Sequence, residues 1–138
     1  MAENAAATRA RPRPLSPHLQ IYRWTPTMLT SIVHRITGVG LSAGLAGLAW
    51  FLMALASGPD AYDTFCMVAF SIPGLVVLFG FTWALTYHLF NGIRHLTWDI
   101  GYGFRPKTAN GVSLFIIVAS VLVAAALFGF GLMKSGAF

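Results

Sequence analysis

Charged residues are scarce in this sequence of 138 residues. It contains nine Lys and Arg and four Asp and Glu, so only 9% of its residues carry a formal charge. A soluble globular domain carries about 25%. Hydrophobic residues make up 57% of the chain. A chain of this length forms one domain, which we take as residues 1–138, and it has too little charge to cover a small water-soluble globule.

Cysteine is also nearly absent, because Cys66 is the only one in the chain. A single thiol excludes an internal disulfide and a CxxC metal or redox pair. There is no CxxCH motif either, so any haem would be held without a covalent link. Residues 1–28 lack a continuous apolar core, which argues against a cleavable signal peptide, although their Ala- and Arg-rich composition leaves open a mitochondrial transit-like segment.

Three long stretches contain no charged residue at all. They cover residues 36–59, 64–93 and 108–133, and hold 24, 30 and 26 residues. A helix rises about 1.5 Å per residue, so each stretch is long enough to cross a hydrocarbon core about 30 Å thick. We therefore predict an all-α membrane protein with three transmembrane helices. The predicted helices cover residues 28–56, 65–99 and 112–133.

The positions of the prolines help to predict the structure of the remaining segments. Four of them lie in residues 1–27, which we interpret as a polar arm on the membrane surface, with Tyr22 and Trp24 as interfacial anchors. A short acidic loop around Asp60 is expected after the first helix. Pro73 either kinks the second helix or marks its first turn after an interfacial segment.

Lys and Arg are unevenly distributed along the chain. Five lie before or at the start of the first span, none in the first loop, three around the second loop and one after the third span. The positive-inside rule then places the amino terminus and the second loop inside. We expect a bacterial cytoplasmic (inner) membrane, with the mitochondrial inner membrane as the alternative. Because topology accounts for the basic residues, the net charge of +5 indicates no nucleic acid partner.

His88 is the strongest candidate for chemistry. It lies six residues before Arg94, about 9 Å into the membrane from the inner boundary if the helix is regular. An ionisable residue at that depth is costly and marks a functional site by default. An imidazole on a transmembrane helix suits an axial haem ligand. The alternatives are a histidine hydrogen-bonded across a helix interface and one that lines a wet cavity.

The other histidines are expected at different depths. His34 and His95 are predicted at the inner boundary, well below the level of His88, and His18 lies in the arm. Two axial ligands of one iron face each other and need similar depths. A six-coordinate haem would therefore take its second ligand from a partner chain.

Three polar groups occur within one turn at the start of the first helix, namely Ser31, His34 and Arg35. Together they suit hydrogen bonding to a quinone carbonyl or pairing with haem propionates. Taken alone, Arg35 is better explained as a flanking residue that extends to the interface and follows the positive-inside rule.

Four polar or aromatic residues close the second span, namely Arg94, His95, Trp98 and Asp99. His95 lies two turns after His88 on nearly the same face, and Asp99 is placed to accept from its ring. The alternative interpretation is an interfacial belt in the headgroup layer.

Small residues recur on the first helix. Gly38, Ser42 and Ala46 are spaced by four, and Gly40 and Gly44 lie beside them. Such a pattern lets another helix approach closely. It predicts packing rather than chemistry.

Two regions resemble the signatures of a known family. The first comprises RPLSPHL at residues 13–19 and SIVHRITG at residues 31–38, and the second is HLFNGIRHLTWDIG at residues 88–101. They are similar to the signatures of the cytochrome b subunit of succinate dehydrogenase (complex II, succinate:quinone oxidoreductase). They occur in the right order on three spans, so the resemblance covers essentially the whole chain.

The resemblance implies a membrane anchor that pairs with a second three-helix anchor subunit in a haem-binding bundle. It implies that His88 ligates one haem b shared with that partner, and that Ser31 and Arg35 line the ubiquinone pocket. His34 and Arg35, with His95 in the vicinity, are then expected near the haem propionates.

The resemblance further implies an iron–sulfur subunit and a flavoprotein subunit docked on the inner face. We expect the arm to contact them through Ser16, Pro17, His18 and Tyr22. The chain would help to reduce ubiquinone with electrons from succinate, and would not oxidise succinate itself, because it has neither a flavin-binding motif nor iron–sulfur cysteines. The alternatives are an anchor of a fumarate reductase of the same architecture and a non-redox three-span membrane protein.

Overall fold

The computed structural model describes residues 22–135 of the chain. This part of the protein is entirely α-helical, with no strand. Its four helices are α1 (Pro26–Ser57), α2 (Pro59–Ala69), α3 (Ile72–Asp99) and α4 (Pro106–Ser135). Three of them, α1, α3 and α4, are long and apolar enough to cross a membrane, whereas α2 has 11 residues. The predicted all-α membrane architecture with three spans is confirmed.

The second span differs from the predicted helix over residues 65–99. Helix α2 ends at Ala69 and a new helix, α3, begins at Ile72. The Ser71 hydroxyl caps α3 by accepting a hydrogen bond from the Gly74 amide at 3.2 Å. Pro73 lies in the first turn of α3, where its missing N–H costs no helical hydrogen bond. The residues before the break form α2, including Asp60, which was expected in a loop.

Caps at both ends fix the length of α1. The Thr25 hydroxyl accepts from the amide of Met28 at 3.4 Å, and Pro26 occupies the first turn. At the other end Gly58 has a φ of 108°, a conformation that favours glycine and separates α1 from α2. The structure therefore extends the predicted first span by two residues at its start and one at its end.

The three spans pack into a bundle in which α3 contacts both α1 and α4. We call the end where α1 and α4 begin and α3 finishes the proximal end, and the opposite end, which carries α2, the distal end. The core is unusually polar, because the largest fully buried side chains are mostly hydrogen-bonding groups. They are Tyr87, Asn91, Thr30, Ser113 and Ser120.

Large apolar side chains point outward instead. Ile72 is 82% exposed, and Val39 and Phe115 are 74% and 69% exposed. Lipid tails are as apolar as these side chains, so exposing them costs nothing in a membrane, while polar groups gain by pairing between helices. This arrangement is the expected one for a bundle surrounded by lipid and partner helices.

Candidate functional site

Three histidines form a stack on the α1–α3 face of the bundle, near the proximal end. The ring centroids of His34 and His88 lie 3.9 Å apart with their planes inclined by 19°. The centroids of His34 and His95 lie 5.1 Å apart with a 36° inclination. All three side chains are half-buried. We call this set the histidine stack.

The stack corrects the depths predicted from sequence. His34 was expected well below His88, and this is wrong, because the two rings are in contact. The reason is the register of the helices, since Arg94 lies against Thr30 and not beside Arg35. One turn further along α1, His34 comes level with His88. Stacked rings do not face each other across a single iron, so His34 is not placed as the opposing ligand.

Hydrogen bonds indicate which tautomer of the neutral His88 ring fits this position. Its Nδ1 lies 3.2 Å from the backbone oxygen of His34 and 3.3 Å from the Thr37 hydroxyl oxygen. A carbonyl only accepts, so Nδ1 must carry the hydrogen in this contact. The neutral ring then has its lone pair on Nε2, which is the state that binds a metal.

Glycine at position 38 lets the His88 ring approach α1. A Cβ atom built there would lie 3.1 Å from Cε1 of the ring, tighter than ordinary contact. Gly44 plays the same part further along the helix, where a Cβ would overlap the Phe81 ring. These two glycines confirm the predicted close helix approach, whereas Gly40 has nothing within 4 Å.

Ser31 and Arg35 lie one turn apart on α1, on either side of His34 in sequence. The Ser31 hydroxyl is half-buried and donates to the Thr27 carbonyl at 3.1 Å. The Arg35 side chain is exposed. Both residues lie within one turn of His34, the α1 member of the histidine stack.

The arm is described only from Tyr22 onward. Tyr22 is 47% exposed and its hydroxyl donates to the Met28 sulfur at 3.2 Å. Its ring meets Trp24 edge to face, with centroids 6.1 Å apart. The other predicted docking residues lie outside the described residues. They are Ser16, Pro17 and His18.

Arg94 anchors a second polar group that sequence reasoning missed. It is only 3% exposed, so it does not belong to the interfacial belt considered above. Its Nη1 donates to the hydroxyls of Thr30 on α1, at 2.8 Å, and Ser113 on α4. Its guanidinium carbon lies 4.5 Å from the centre of the Trp98 ring, a cation–π contact.

Two further α3 side chains form hydrogen bonds to Thr30 of α1. The Tyr87 hydroxyl and the Asn91 amide both donate to the Thr30 carbonyl, at 2.9 Å and 3.1 Å. With Arg94 and Ser113 they form what we call the Thr30 junction, which joins α1, α3 and α4. Because this junction fixes the register of α1 against α3, it also sets which α1 residues meet His88.

A periodic signal for this junction was present in the sequence. Tyr87, Asn91, Arg94 and Trp98 follow one another at intervals of four, three and four residues, which puts them on one face of a helix. Polar residues on one face of a membrane span point into the bundle.

The donor set suits a haem iron better than a bare metal ion. Within residues 22–135, no group of three His, Cys, Asp or Glu side chains is arranged to hold a metal ion. A porphyrin supplies its own four nitrogens, so this chain need provide one axial nitrogen. The Nε2 atom of His88 meets that requirement.

Comparison with known proteins decides the family. Residues 9–128 match the family described as succinate dehydrogenase/fumarate reductase transmembrane subunit. The chain belongs to this family. It is 45% identical over 112 residues to the succinate dehydrogenase cytochrome b556 subunit of Paracoccus denitrificans, covering 81% of this chain and 86% of that one.

Mitochondrial proteins are similar as well. The chain is 38% identical over 117 residues to the mitochondrial succinate dehydrogenase cytochrome b560 subunit of Sus scrofa, which covers 80% of this chain and 66% of that protein. The family resemblance predicted from sequence is therefore confirmed. The chain is a membrane subunit of a succinate dehydrogenase of the cytochrome b type, and so a component of an enzyme complex.

Proposed function

We propose that this chain is the haem b-binding anchor of a complex II and helps to pass electrons from succinate to ubiquinone. The observation that carries the proposal is the His88 ring, held on an apolar span with Nδ1 facing a carbonyl, while Nε2 has no hydrogen-bond partner among residues 22–135. The function places the chain in both the tricarboxylic acid cycle and the respiratory chain.

The haem site follows from that geometry. His88 would hold the iron through Nε2, and the bound haem supplies reversible one-electron chemistry. A second anchor subunit would supply the opposing ligand, since His34 stacks on His88 instead of facing it. One haem b would thus be shared between the two anchor subunits.

The other two members of the histidine stack, together with Arg35, are our candidates for partners of the haem propionates. His34 and His95 lie beside His88, and the exposed Arg35 guanidinium follows one residue after His34. Imidazole and guanidinium N–H groups donate to carboxylates, and an arginine keeps its charge at every physiological pH. We assign these three side chains to the surroundings of the propionates.

Ser31 and Arg35 are our candidates for the ubiquinone pocket. A quinone carbonyl gains negative charge on reduction, and a fixed positive group beside it stabilises that charge. Arg35 is exposed and therefore accessible, and the half-buried Ser31 hydroxyl is one turn nearer the proximal end. Both residues lie close to those that we assign to the haem surroundings. The distance for electron transfer between the proposed quinone pocket and the haem would therefore be short.

The proximal end is assigned to the inner side of the membrane. The Lys and Arg count supports this orientation, and electrons would arrive there from an iron–sulfur subunit and a flavoprotein subunit. The exposed Tyr22 at the start of the described chain is a candidate contact for them. Relatives from bacteria and mitochondria both exist, and we favour the bacterial cytoplasmic membrane over the mitochondrial inner membrane.

The direction of electron flow is proposed as succinate oxidation. The family includes subunits of both succinate dehydrogenase and fumarate reductase. The relatives described above are named as succinate dehydrogenase subunits, which favours that direction over the reverse one. A non-redox role would leave the free Nε2 of a membrane-embedded histidine without an explanation.

The test is the reduced-minus-oxidised visible spectrum of the intact complex carrying His88→Leu. Leucine keeps the span apolar, so insertion is preserved, and the b-type bands should be lost or severely changed. His95→Leu is the matched control, because it removes a stacked imidazole without removing the proposed ligand. An unchanged spectrum in His88→Leu contradicts the ligand assignment, and the absence of any chromophore in the parent complex supports the non-redox alternative.

A further inference from the structure

Thr37 on α1 has its side-chain hydroxyl within hydrogen-bond distance of the Nδ1 atom of His88. It is 4% exposed, and its hydroxyl oxygen lies 3.3 Å from that nitrogen. The same oxygen lies 2.9 Å from the carbonyls of Val33 and His34 on its own helix. The threonine is thus placed between the backbone of α1 and the ring on α3.

The direction of each hydrogen bond follows from donor and acceptor chemistry. The hydroxyl has one hydrogen, and the two neighbouring carbonyls of α1 can only accept. Nδ1 of His88 must donate, because it lies 3.2 Å from the His34 carbonyl. The Thr37 hydrogen therefore goes to its own helix, and its oxygen lone pair faces the Nδ1 hydrogen as a second acceptor.

Bonding to the helix backbone alone is common and does not explain this contact. Thr82 and Thr86 on α3 each donate to the carbonyl four residues earlier, both at 2.8 Å. Neither of them has a histidine as a hydrogen-bond partner. Thr37 differs because its oxygen has a second partner on another helix, and that partner is the proposed iron ligand.

We infer that Thr37 is a positioning residue for haem, which holds the His88 ring in its Nδ1–H form and orients Nε2. The inference rests on the proposed role of His88 as the axial ligand. Two acceptors on Nδ1–H increase electron donation from Nε2, which favours the ferric over the ferrous iron. The threonine should accordingly keep the midpoint potential of the haem lower than it would otherwise be.

The test compares Thr37→Val with Thr37→Ser and Thr86→Val in the intact complex. Valine has nearly the shape of threonine but no acceptor, whereas serine keeps the hydroxyl. Thr86→Val removes a buried hydroxyl that bonds only to its own helix. The haem midpoint potential from redox titration and the low-temperature EPR spectrum of the ferric haem report ligand donation and ring orientation directly.

We expect Thr37→Val to retain haem with a raised midpoint potential and altered EPR g values. Thr37→Ser should stay near the parent in both, and Thr86→Val should match the parent. Should the valine variant fail to assemble, Thr37→Ala, which removes the hydroxyl without a branched side chain, takes its place in the comparison.

Three results would overturn the inference. These are a parental potential and EPR spectrum in Thr37→Val, an equal shift in Thr37→Ser, or an equal shift in Thr86→Val. Failure of the proposed function has a different signature, since it is a haem spectrum that survives His88→Leu. If His88→Leu loses haem ligation but Thr37→Val keeps the parental potential and EPR spectrum, the proposed function stands and only the positioning role is refuted.

Discussion

The two polar regions of this bundle lie close together but differ in how completely they are enclosed. The Thr30 junction is sealed between three helices, and its members bond to one another. The three side chains of the histidine stack are instead half-buried on one face of the bundle. A closed polar group holds a fold together, whereas an open one is available to a cofactor or substrate.

The difference also shows which polar residues a membrane span carries for structure. Arg94 looks like a functional charge by residue type, yet its contacts are two hydroxyls and an indole of its own bundle. Within the described part of the chain, His88 forms its hydrogen bonds to α1 through Nδ1. Burial separates the two roles better than the identity of the residue does, because Arg94 is 3% exposed whereas His88 is half-buried.

The largest expected effect comes from opening the junction with Arg94→Met. The variant loses the two hydrogen bonds that Arg94 donates to the buried hydroxyls of Thr30 and Ser113, so we expect a loss of about 3 kcal/mol. Thermal unfolding of the purified complex, followed by helical circular dichroism and haem loss, measures it. Arg105→Met at the same end is the control, because Arg105 is exposed and should change stability by less than about 0.5 kcal/mol. Equal melting of both variants would show that the junction is not structural.

A smaller effect is expected at Ser31 and Arg35, the residues proposed to bind quinone. Ser31→Ala removes about one hydrogen bond, on the order of 1 kcal/mol, which corresponds to a roughly fivefold slower quinone reduction. Arg35→Lys keeps the positive charge but loses the planar fork, and should slow quinone reduction as well. Electron transfer from succinate to a dye that accepts at the soluble subunits serves as the control and should be unchanged. Parental quinone rates and inhibitor sensitivity in both variants would make Arg35 a topology residue.

The smallest predicted effect concerns the surface of α1 at Gly38, which packs against the His88 ring. In Gly38→Ala the new methyl lies 3.1 Å from the ring, so the ring must shift by a few tenths of an ångström. We expect a changed haem EPR spectrum with normal assembly. Gly40→Ala, two residues away, has nothing within 4 Å of its new methyl and should keep the parental spectrum. If the EPR spectra of both variants matched that of the parent, the haem would not be sensitive to the packing of His88 against Gly38.

Local patterns in the sequence were sufficient for the spans but not for the register between them. Uncharged stretches predict three membrane helices because length and apolarity suffice for crossing a bilayer. The break at Ser71 depends on a cap and on where Pro73 falls in the turn, which a hydropathy pattern does not resolve. The contact of His34 with His88 depends on Arg94 pairing with Thr30, 64 residues away in the chain.

The candidate site was predictable to a similar extent. His88 is singled out by its depth, Ser31 and Arg35 by the polar groups within one turn of the first helix, and the family resemblance implies the same residues. Thr37 is an ordinary threonine in the sequence, and only its position opposite Nδ1 of His88 gives it a role. Residues that act by holding another residue carry no signal of their own in a single sequence.

The most direct test of the account is chemical rescue of His88→Gly in the intact complex. If His88 supplies an axial nitrogen, the variant should lose the six-coordinate b-type spectrum, and added imidazole should restore it by filling the vacated position. His95→Gly, the control, should keep that spectrum with or without imidazole. A six-coordinate spectrum that persists in His88→Gly without imidazole would contradict the central claim that His88 is the haem ligand.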